Sequence, residues 1–239
     1  MKQAFWIIFL CALTTGVLFA APDASKSVPN PEMMQGALWR AGELHDFRLE
    51  GVMRINGKTE PLVMKTNNRT MVFEFPGKAL QIKVQLTPSG SIVQRRAKSS
   101  QDWKTLSAQE RLEPILNSDV CYEDLGVDFL RWQDVKPLGM DSIKTLTAWA
   151  YEAKPHVLSQ YSKAHFWISS DYLALLRVDA FDRKGEIVKR VEINGVQKVG
   201  DAYTIKEIMI STLAPGRDVS KSKTYIEIRK AEPGSGLKG

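Results

Sequence analysis

Two hydrophobic periods divide this chain. From Asp46 onward apolar residues recur at alternate positions, with Phe47, Leu49, Val52 or Met53 and Ile55 set against Arg48, Glu50 and Arg54. A period of two marks a strand with one buried face. The same alternation runs through Leu62 to Met64, through Met71, Phe73 and Phe75, and through Leu80, Ile82, Val84 and Leu86 against Gln81, Lys83 and Gln85. Asn56-Gly57, Pro76-Gly77 and Pro88-Ser89-Gly90 fall between these runs as hairpin turns. Between Thr105 and Trp132 the period turns helical and predicts two helices. The first carries Leu106, Leu112, Ile115 and Leu116 on one face, with Ser107 and Glu110 as a capping box. The second runs from Tyr122 to Trp132 with Leu125, Phe129 and Leu130 on its face, Asp119 as N-cap and Glu123 and Asp124 in the first turn.

Strand periodicity then resumes over Ile143–Ala153, Ala164–Ile168, Leu173–Phe181, Glu186–Ile193, Tyr203–Leu213 and Lys223–Ile228, with Asp182 to Gly185 and Asn194-Gly195 as hairpin turns. A helix-like stretch, Glu32 to Glu43, precedes the first strand. The pattern predicts a mainly β fold with a few helices, about eleven antiparallel strands in meander order, and a helical pair inserted after the fifth strand to cover one open face. The rows Phe47/Leu49/Met53, Leu80/Ile82/Val84/Leu86 and Leu176/Val178/Ala180 are expected to share one interior. Gln81, Lys83, Gln85, Arg177 and Asp179 are expected to face water.

The N-terminus changes the setting. Lys2 precedes an apolar run from Ala4 to Leu13, and a second run ends at Ala20-Ala21-Pro22. This reads as a secretory signal peptide over 1–21, with an uncleaved anchor as the alternative. A Pro- and Ser-rich linker follows over 22–31, then a single domain over 32–230 and a flexible tail over 231–239. Leu10 before Cys11 lacks the small residue that lipid attachment requires. Removal of the signal leaves Cys121 alone and no intramolecular disulfide, which fits a periplasmic setting. The chain of 239 residues carries 33 Lys and Arg against 27 Asp and Glu, a formal net charge of +6. Its basic residues are dispersed, and the densest groups, Arg95-Arg96-Ala97-Lys98 and Lys221-Ser222-Lys223, are short. That distribution argues against a nucleic-acid partner.

Catalytic constellations are lacking in the sequence. His45, His156 and His165 fall in no motif, no paired cysteines or helically spaced ligands suggest zinc, and nucleotide-binding glycine loops and a nucleophile elbow do not occur. Cys121 at the start of a helix reads as packing, with a hydrolase built around it as the weakest reading. No enzyme activity, cofactor or metal is therefore expected. Long strands with one apolar face and few helices to cover it suit a cavity for an apolar ligand, with an ordinary filled core as the alternative.

Several segments also resemble a known family. They are Tyr122-Glu123-Asp124-Leu125, Thr147 to Pro155, Tyr161 to Ile168, Tyr172 to Asp182 followed by Gly185 and Lys189, and the closing Met209 and Lys223 to Ile228. Their order is similar to the outer-membrane lipoprotein-sorting proteins of the LolA/LolB-like superfamily, in its divergent LolA-like branch, over roughly Phe47 to Ile228. The resemblance implies an incomplete antiparallel barrel whose helices lie across a concave apolar face. It also implies a periplasmic carrier that shields the acyl chains of a lipid or lipoprotein, with an inner- or outer-membrane transport component as partner. The expected cavity residues are Phe47, Leu49, Leu80, Ile82, Val84, Leu176 and Val178, with Leu112, Ile115, Leu116, Phe129 and Leu130 as the lid. A non-catalytic envelope scaffold with a vestigial cavity is the competing reading.

Overall fold

The computed structural model describes residues 27–41, 44–97, 102–200 and 202–234, without the side chains of 41–45. The expected signal segment lies outside the described residues, as does the chain end beyond 234. After α1 (Pro31–Ala41) come β1 (Leu44–Ile55), β2 (Lys58–Asn68), β3 (Thr70–Phe75), β4 (Leu80–Thr87), β5 (Gly90–Arg96) and the two-residue β6 (Lys104–Thr105). A short helix, α2 (Tyr122–Leu125), lies in the connection to β7 (Asp134–Ile143) and β8 (Leu146–Lys154). The rest is β9 (Lys163–Ser169), β10 (Leu175–Phe181), β11 (Ile187–Val199), β12 (Ala202–Leu213) and β13 (Ser220–Pro233).

All thirteen strands join one open antiparallel sheet, in the order β6-β5-β4-β3-β2-β1-β13-β12-β11-β10-β9-β8-β7. The two chain-terminal strands, β1 and β13, therefore pair at its centre, and the segment 106–133 must travel from one edge strand to the other. The mainly antiparallel β fold is as expected, but the strand count is higher. β6 is too short to show a period, and β7 is an exposed edge strand containing Pro137 and a bulge at Gly139, so it carries no apolar row. Pro and bulges are what blunt a free edge against pairing with other chains. β13 also runs past the expected domain boundary, to Pro233 opposite Phe47.

Turn chemistry sets the register. Asn56 and Gly57, both at positive φ, make the two-residue turn between β1 and β2. Asp182 accepts the backbone N–H groups of Lys184 and Glu186 and closes the β10–β11 hairpin. Asn194-Gly195 does not turn the chain: it forms a bulge inside the long β11, and the reversal comes at Gly200. Gly51 is required by a close approach, since a Cβ there would lie 2.0 Å from the Glu227 carbonyl oxygen of β13, beside the register shift at Glu50/Gly51.

The predicted helical pair is the main departure. Residues 106–133 form 3₁₀ turns at Glu110–Leu112, Ile115–Asn117 and Asp128–Arg131 around the single turn of α2. Pro114 interrupts the first expected helix, and Leu116, Asn117 and Val127 take left-handed φ values of 52°, 57° and 44°. The segment is therefore a strap of short turns, and toward its end Asp128 accepts a hydrogen bond from Ser91 of β5 while Phe129 packs against Phe166 of β9. The Ser107–Glu110 capping box forms all the same, with the Ser107 N–H donating to Glu110 at 2.9 Å and the Glu110 N–H to Ser107 Oγ at 3.3 Å.

Candidate functional site

The strap and α1 cover one face of the sheet, and two apolar clusters lie beneath them. Over β1–β5, Met53, Met71, Phe73, Ile82 and Val84 pack with Ile115, Val120 and Tyr122 of the strap. Over β8–β10, Tyr151, Phe166, Ile168 and Val178 pack with Met34 and Leu38 of α1 and with Trp132, and Phe129 and Leu130 lean against them. The Tyr151 and Phe166 rings stack at 5.4 Å between centroids, and Phe129 lies 5.5 Å from Phe166. The Tyr151 hydroxyl donates to the Pro29 carbonyl at 2.9 Å, tying the N-terminal segment to this half.

Most of the expected cavity residues meet in these clusters. Ile82, Val84 and Ile115 are buried together, with Leu80 and Leu116 at their margin, while Val178 joins Phe129 and Leu130 in the second cluster. Phe47 and Leu49 pack instead with Val199, Ala202 and Ile228, which Met64 and Ile226 link to the first cluster. Leu112 belongs to none of these clusters and lines a partly polar cavity. Leu176 departs from the expected row. A register shift between Leu175 and Arg177 moves it off the covered face, where it packs with Ala148, Ala150 and Trp167. Asp179, expected in water, is also buried, because Arg177 and Arg190 close over it at 2.8–2.9 Å through their Nε atoms.

Polar contacts fasten the strap at three points that strand periodicity does not reveal. At mid-sheet the Asp119 carboxylate accepts hydrogen bonds from Thr212, Ser222 and Thr224, the last at 2.8 Å, and its own N–H donates to Thr224 Oγ1 at 3.0 Å. The expected N-cap thus caps nothing: Cys121 holds the N-cap position of α2, and its N–H donates to Asp124 at the third helical position at 2.8 Å. The signal in the sequence was three hydroxyl residues at alternate, otherwise apolar positions of β12 and β13.

The second point is a buried ion pair, Lys189 Nζ to Asp124 Oδ2 at 2.6 Å, with the Tyr161 hydroxyl donating to Asp124 Oδ1 at 2.7 Å. Burial opposes the Lys189 charge, but Asp124 outweighs it and holds the ammonium above the ordinary lysine range. Cys121 sits beside this pair, with Gln160 Nε2 donating to its sulfur at 2.7 Å. Burial and the Asp124 charge push its thiol up to about 12, so it stays protonated at neutral pH and is a poor nucleophile. At the third point, Arg131 Nη2 lies 2.7 Å from Asp128 Oδ1, Arg111 binds the other oxygen, and Ser91 of β5 donates to it at 3.0 Å.

Two cavities lie where the strap meets β9–β12. One, about 70 Å³, is mostly apolar and is lined by Phe129, Trp132, Leu175, Val178, Ala180 and Val191 among others. Its neighbour, about 260 Å³, is lined by Leu112, Asp119, Cys121, Gln160, Val188 and Thr212 among others. Tyr161 and Lys189 belong to both walls. Of the three histidines, His165 hydrogen-bonds Glu152 at 3.0 Å on the opposite face, His156 is exposed in a loop, and the His45 side chain lies outside the described residues. Among the described residues no group of three or more His, Cys, Asp or Glu is placed to hold a metal. No helix among them is long and apolar enough to cross a membrane.

A family model for uncharacterized proteins matches residues 98–239, more than half of the chain. The chain belongs to that family, and its fold is LolA-like. Among solved structures, it is similar to a DUF1329 family protein from Desulfovibrio piger, at 20% identity and TM-score 0.70, with 87% of this chain and 93% of the other covered. A domain assigned to outer membrane lipoprotein sorting, from Vibrio parahaemolyticus, aligns at 16% identity and TM-score 0.71 over 87% of this chain and 95% of its own. A LolA superfamily protein from Nitrosomonas europaea aligns at 13% identity and TM-score 0.55 over 81% and 87%. No curated protein matches. At these identities the likeness establishes the fold of this family member, and its chemistry rests on its own residues.

Proposed function

We propose that this LolA-like protein is a non-enzymatic periplasmic carrier that shields the acyl chains of a lipid or lipoprotein between its strap and its sheet. The observation that carries this reading is the strap itself. It crosses an apolar face from edge to edge as short turns and leaves space against β9–β12. Each buried methylene is worth about 0.8 kcal/mol, so a chain leaving a membrane needs a dry surface of this kind. Phe129, Leu130 and Val178 are the residues such a chain would touch first, and Phe47, Leu49, Leu80, Ile82 and Val84 extend the apolar face beyond them. The lipoprotein-sorting domain of similar fold supports the same class of cargo. A membrane component of the envelope that loads or receives the cargo is the partner this role requires.

Cavity size favours a second reading. Ligand pockets commonly enclose about 300–1,000 Å³, and neither cavity reaches that volume with the strap down. A carrier that uses these two cavities must lift the strap, whereas a scaffold with a vestigial cavity need not. Mass spectrometry of protein purified gently from its native envelope separates the two: a stoichiometric lipid is the carrier outcome, and lipid-free protein that still takes up no apolar fluorophore is the scaffold outcome.

A further inference from the structure

The register of the sheet brings one end of β8–β13 together. Ala153 pairs with Ala164, Ala164 with Ala180, Ala180 with Lys189, Lys189 with Thr212 and Thr212 with Ser222, strand by strand. The connections 155–162, 182–186 and 214–219 therefore leave the sheet side by side, about 10 Å apart at two strand spacings each. The larger cavity lies at this same end. Gln160, Val188 and Thr212 on its wall belong to or adjoin the three connections, and Gln160 is exposed.

Far apart in sequence, these connections carry a common chemistry. Lys154, Arg183, Lys184, Arg217 and Lys221 lie in or beside them, all exposed and none in a salt bridge among the described residues. The neighbouring carboxylates are occupied or turned in. Asp218 binds Arg190 at 2.6 Å, Asp182 accepts the backbone N–H groups of Lys184 and Glu186, and Glu186 is half-buried against Gly216. Asp134, opposite Lys154, lies 3.9 Å from Lys136. Among these cations stand Val157, Leu158 and Val219, 57%, 50% and 60% exposed. They are three of the seven large hydrophobic residues left exposed among the described residues, a concentration that packing of the core does not explain.

The partner that fits is an anionic bilayer. Single cations on separate hairpin ends offer no clamp for one small anion, whereas a fluid anionic surface supplies charge wherever each of them falls. Aliphatic tips can enter the boundary between headgroups and acyl chains. None of the exposed large hydrophobic residues is aromatic, so the stacking platform that a single-stranded nucleic acid uses is lacking among the described residues. We propose that this end of the sheet docks on an anionic phospholipid surface, with Arg183, Lys184 and Arg217 at the headgroups and Val157, Leu158 and Val219 entering beneath them. Docking does not depend on the carrier reading: a scaffold docks in the same way, and in a carrier the larger cavity is set against the bilayer.

The test is co-flotation of the protein, purified from its native envelope, with vesicles of phosphatidylcholine alone or mixed equally with phosphatidylglycerol. Binding to the mixed vesicles is expected to be at least about tenfold tighter at low salt and to lose most of that advantage at about 0.5 M salt. Reversal of two rim charges, Arg183→Glu with Lys184→Glu, should weaken it about tenfold. Lys198→Glu with Lys206→Glu makes the same change of net charge toward the β11–β12 turn, at the other end of the sheet, and should weaken it less than about threefold. An environment-sensitive dye on Leu158→Cys should shift to the blue on the mixed vesicles, Cys121 being buried and unlabelled. Thermal melts of the variants check that the fold persists. Equal binding to both kinds of vesicle, no binding to either, or an equal loss in the two charge reversals overturns the proposal. Because bound lipid is read separately by mass spectrometry, failure of docking and failure of carriage are distinguishable.

Discussion

Over β1–β5 the strap contributes Ile115, Val120 and Tyr122, each at least 95% buried, to a cluster in which Ile82 and Val84 are wholly enclosed. Over β8–β10 the same strap contributes Phe129, half-buried beside open space, and the half-buried Leu130, and only Trp132 is enclosed. One segment thus meets a filled core on one side and an unfilled one on the other, with Asp119 pinned between them. The strap is therefore anchored by the first half and is free to yield over the second. Its polar fastenings then decide how far it yields.

The sharpest way to break this picture is to remove a fastening that cannot be left half-made. Lys189→Met strands the Asp124 carboxylate under the strap, and breaking a buried pair in this way costs about 3–5 kcal/mol. Urea melts should show the loss, and a change below 1 kcal/mol would mean that the pair is open to water. Next comes the comparison itself. Ile115→Ala should cost about 2–5 kcal/mol, as for a packed core site, while Phe129→Ala should cost less than 2 kcal/mol because its ring already borders a void. Equal losses at the two positions would erase the distinction between the halves.

Asp119→Asn keeps the shape of the mid-sheet latch but removes its charge, and should destabilise by about 1–3 kcal/mol. It should also raise hydrogen exchange in the strap more than in β3 or β4. Acid offers a smaller, graded probe of the β8–β9 half from its outer face. Hydrogen bonds from Lys163 and His165 draw the Glu152 carboxyl down from 4.5 to about 2. Its folded value lies below its unfolded one, so the stabilisation is present above pH 4.5 and is lost as the pH falls toward 2. Glu152→Gln should flatten the stability profile in that window and leave its shape above pH 6 as in the parent. Smallest of all is Cys121→Ser, expected to change stability by less than about 1 kcal/mol and to leave lipid binding as in the parent. The native thiol should resist Ellman's reagent until the protein unfolds, and rapid labelling would show that the strap does not cover it.

Much of this was legible from local pattern. Strand periodicity located β1, β3 and β4, because a strand with one face in the core must alternate and a slip of one residue would expose the whole row. Asn56-Gly57 and the Asp182–Gly185 turn were legible because their backbone conformations demand particular residues. The same turn chemistry misled at Asn194-Gly195, where the residues that can turn a chain were used to bulge a continuing strand. Leu176 was misplaced for a related reason, since a register shift reverses the facing of a row without altering its apolar character.

Local pattern was enough for most of the strands and for the apolar face of β1, β3 and β4, and it showed that the chain between Thr105 and Trp132 would lie on an apolar surface, because each of these depends on neighbours within a few residues. Only the tertiary structure decided the rest. The pairing of β1 with β13 places β6 and β7 at opposite ends of the strand order, so the segment between them joins two edge strands, and Pro114 with the left-handed Leu116, Asn117 and Val127 makes an apolar spacing suited to two helices into a strap of turns. The latch of Asp119 on Thr212, Ser222 and Thr224, and the pair of Asp124 with Lys189, join residues 65 to 105 positions apart. No local period encodes such contacts, because their partners are chosen by the path of the chain across the sheet.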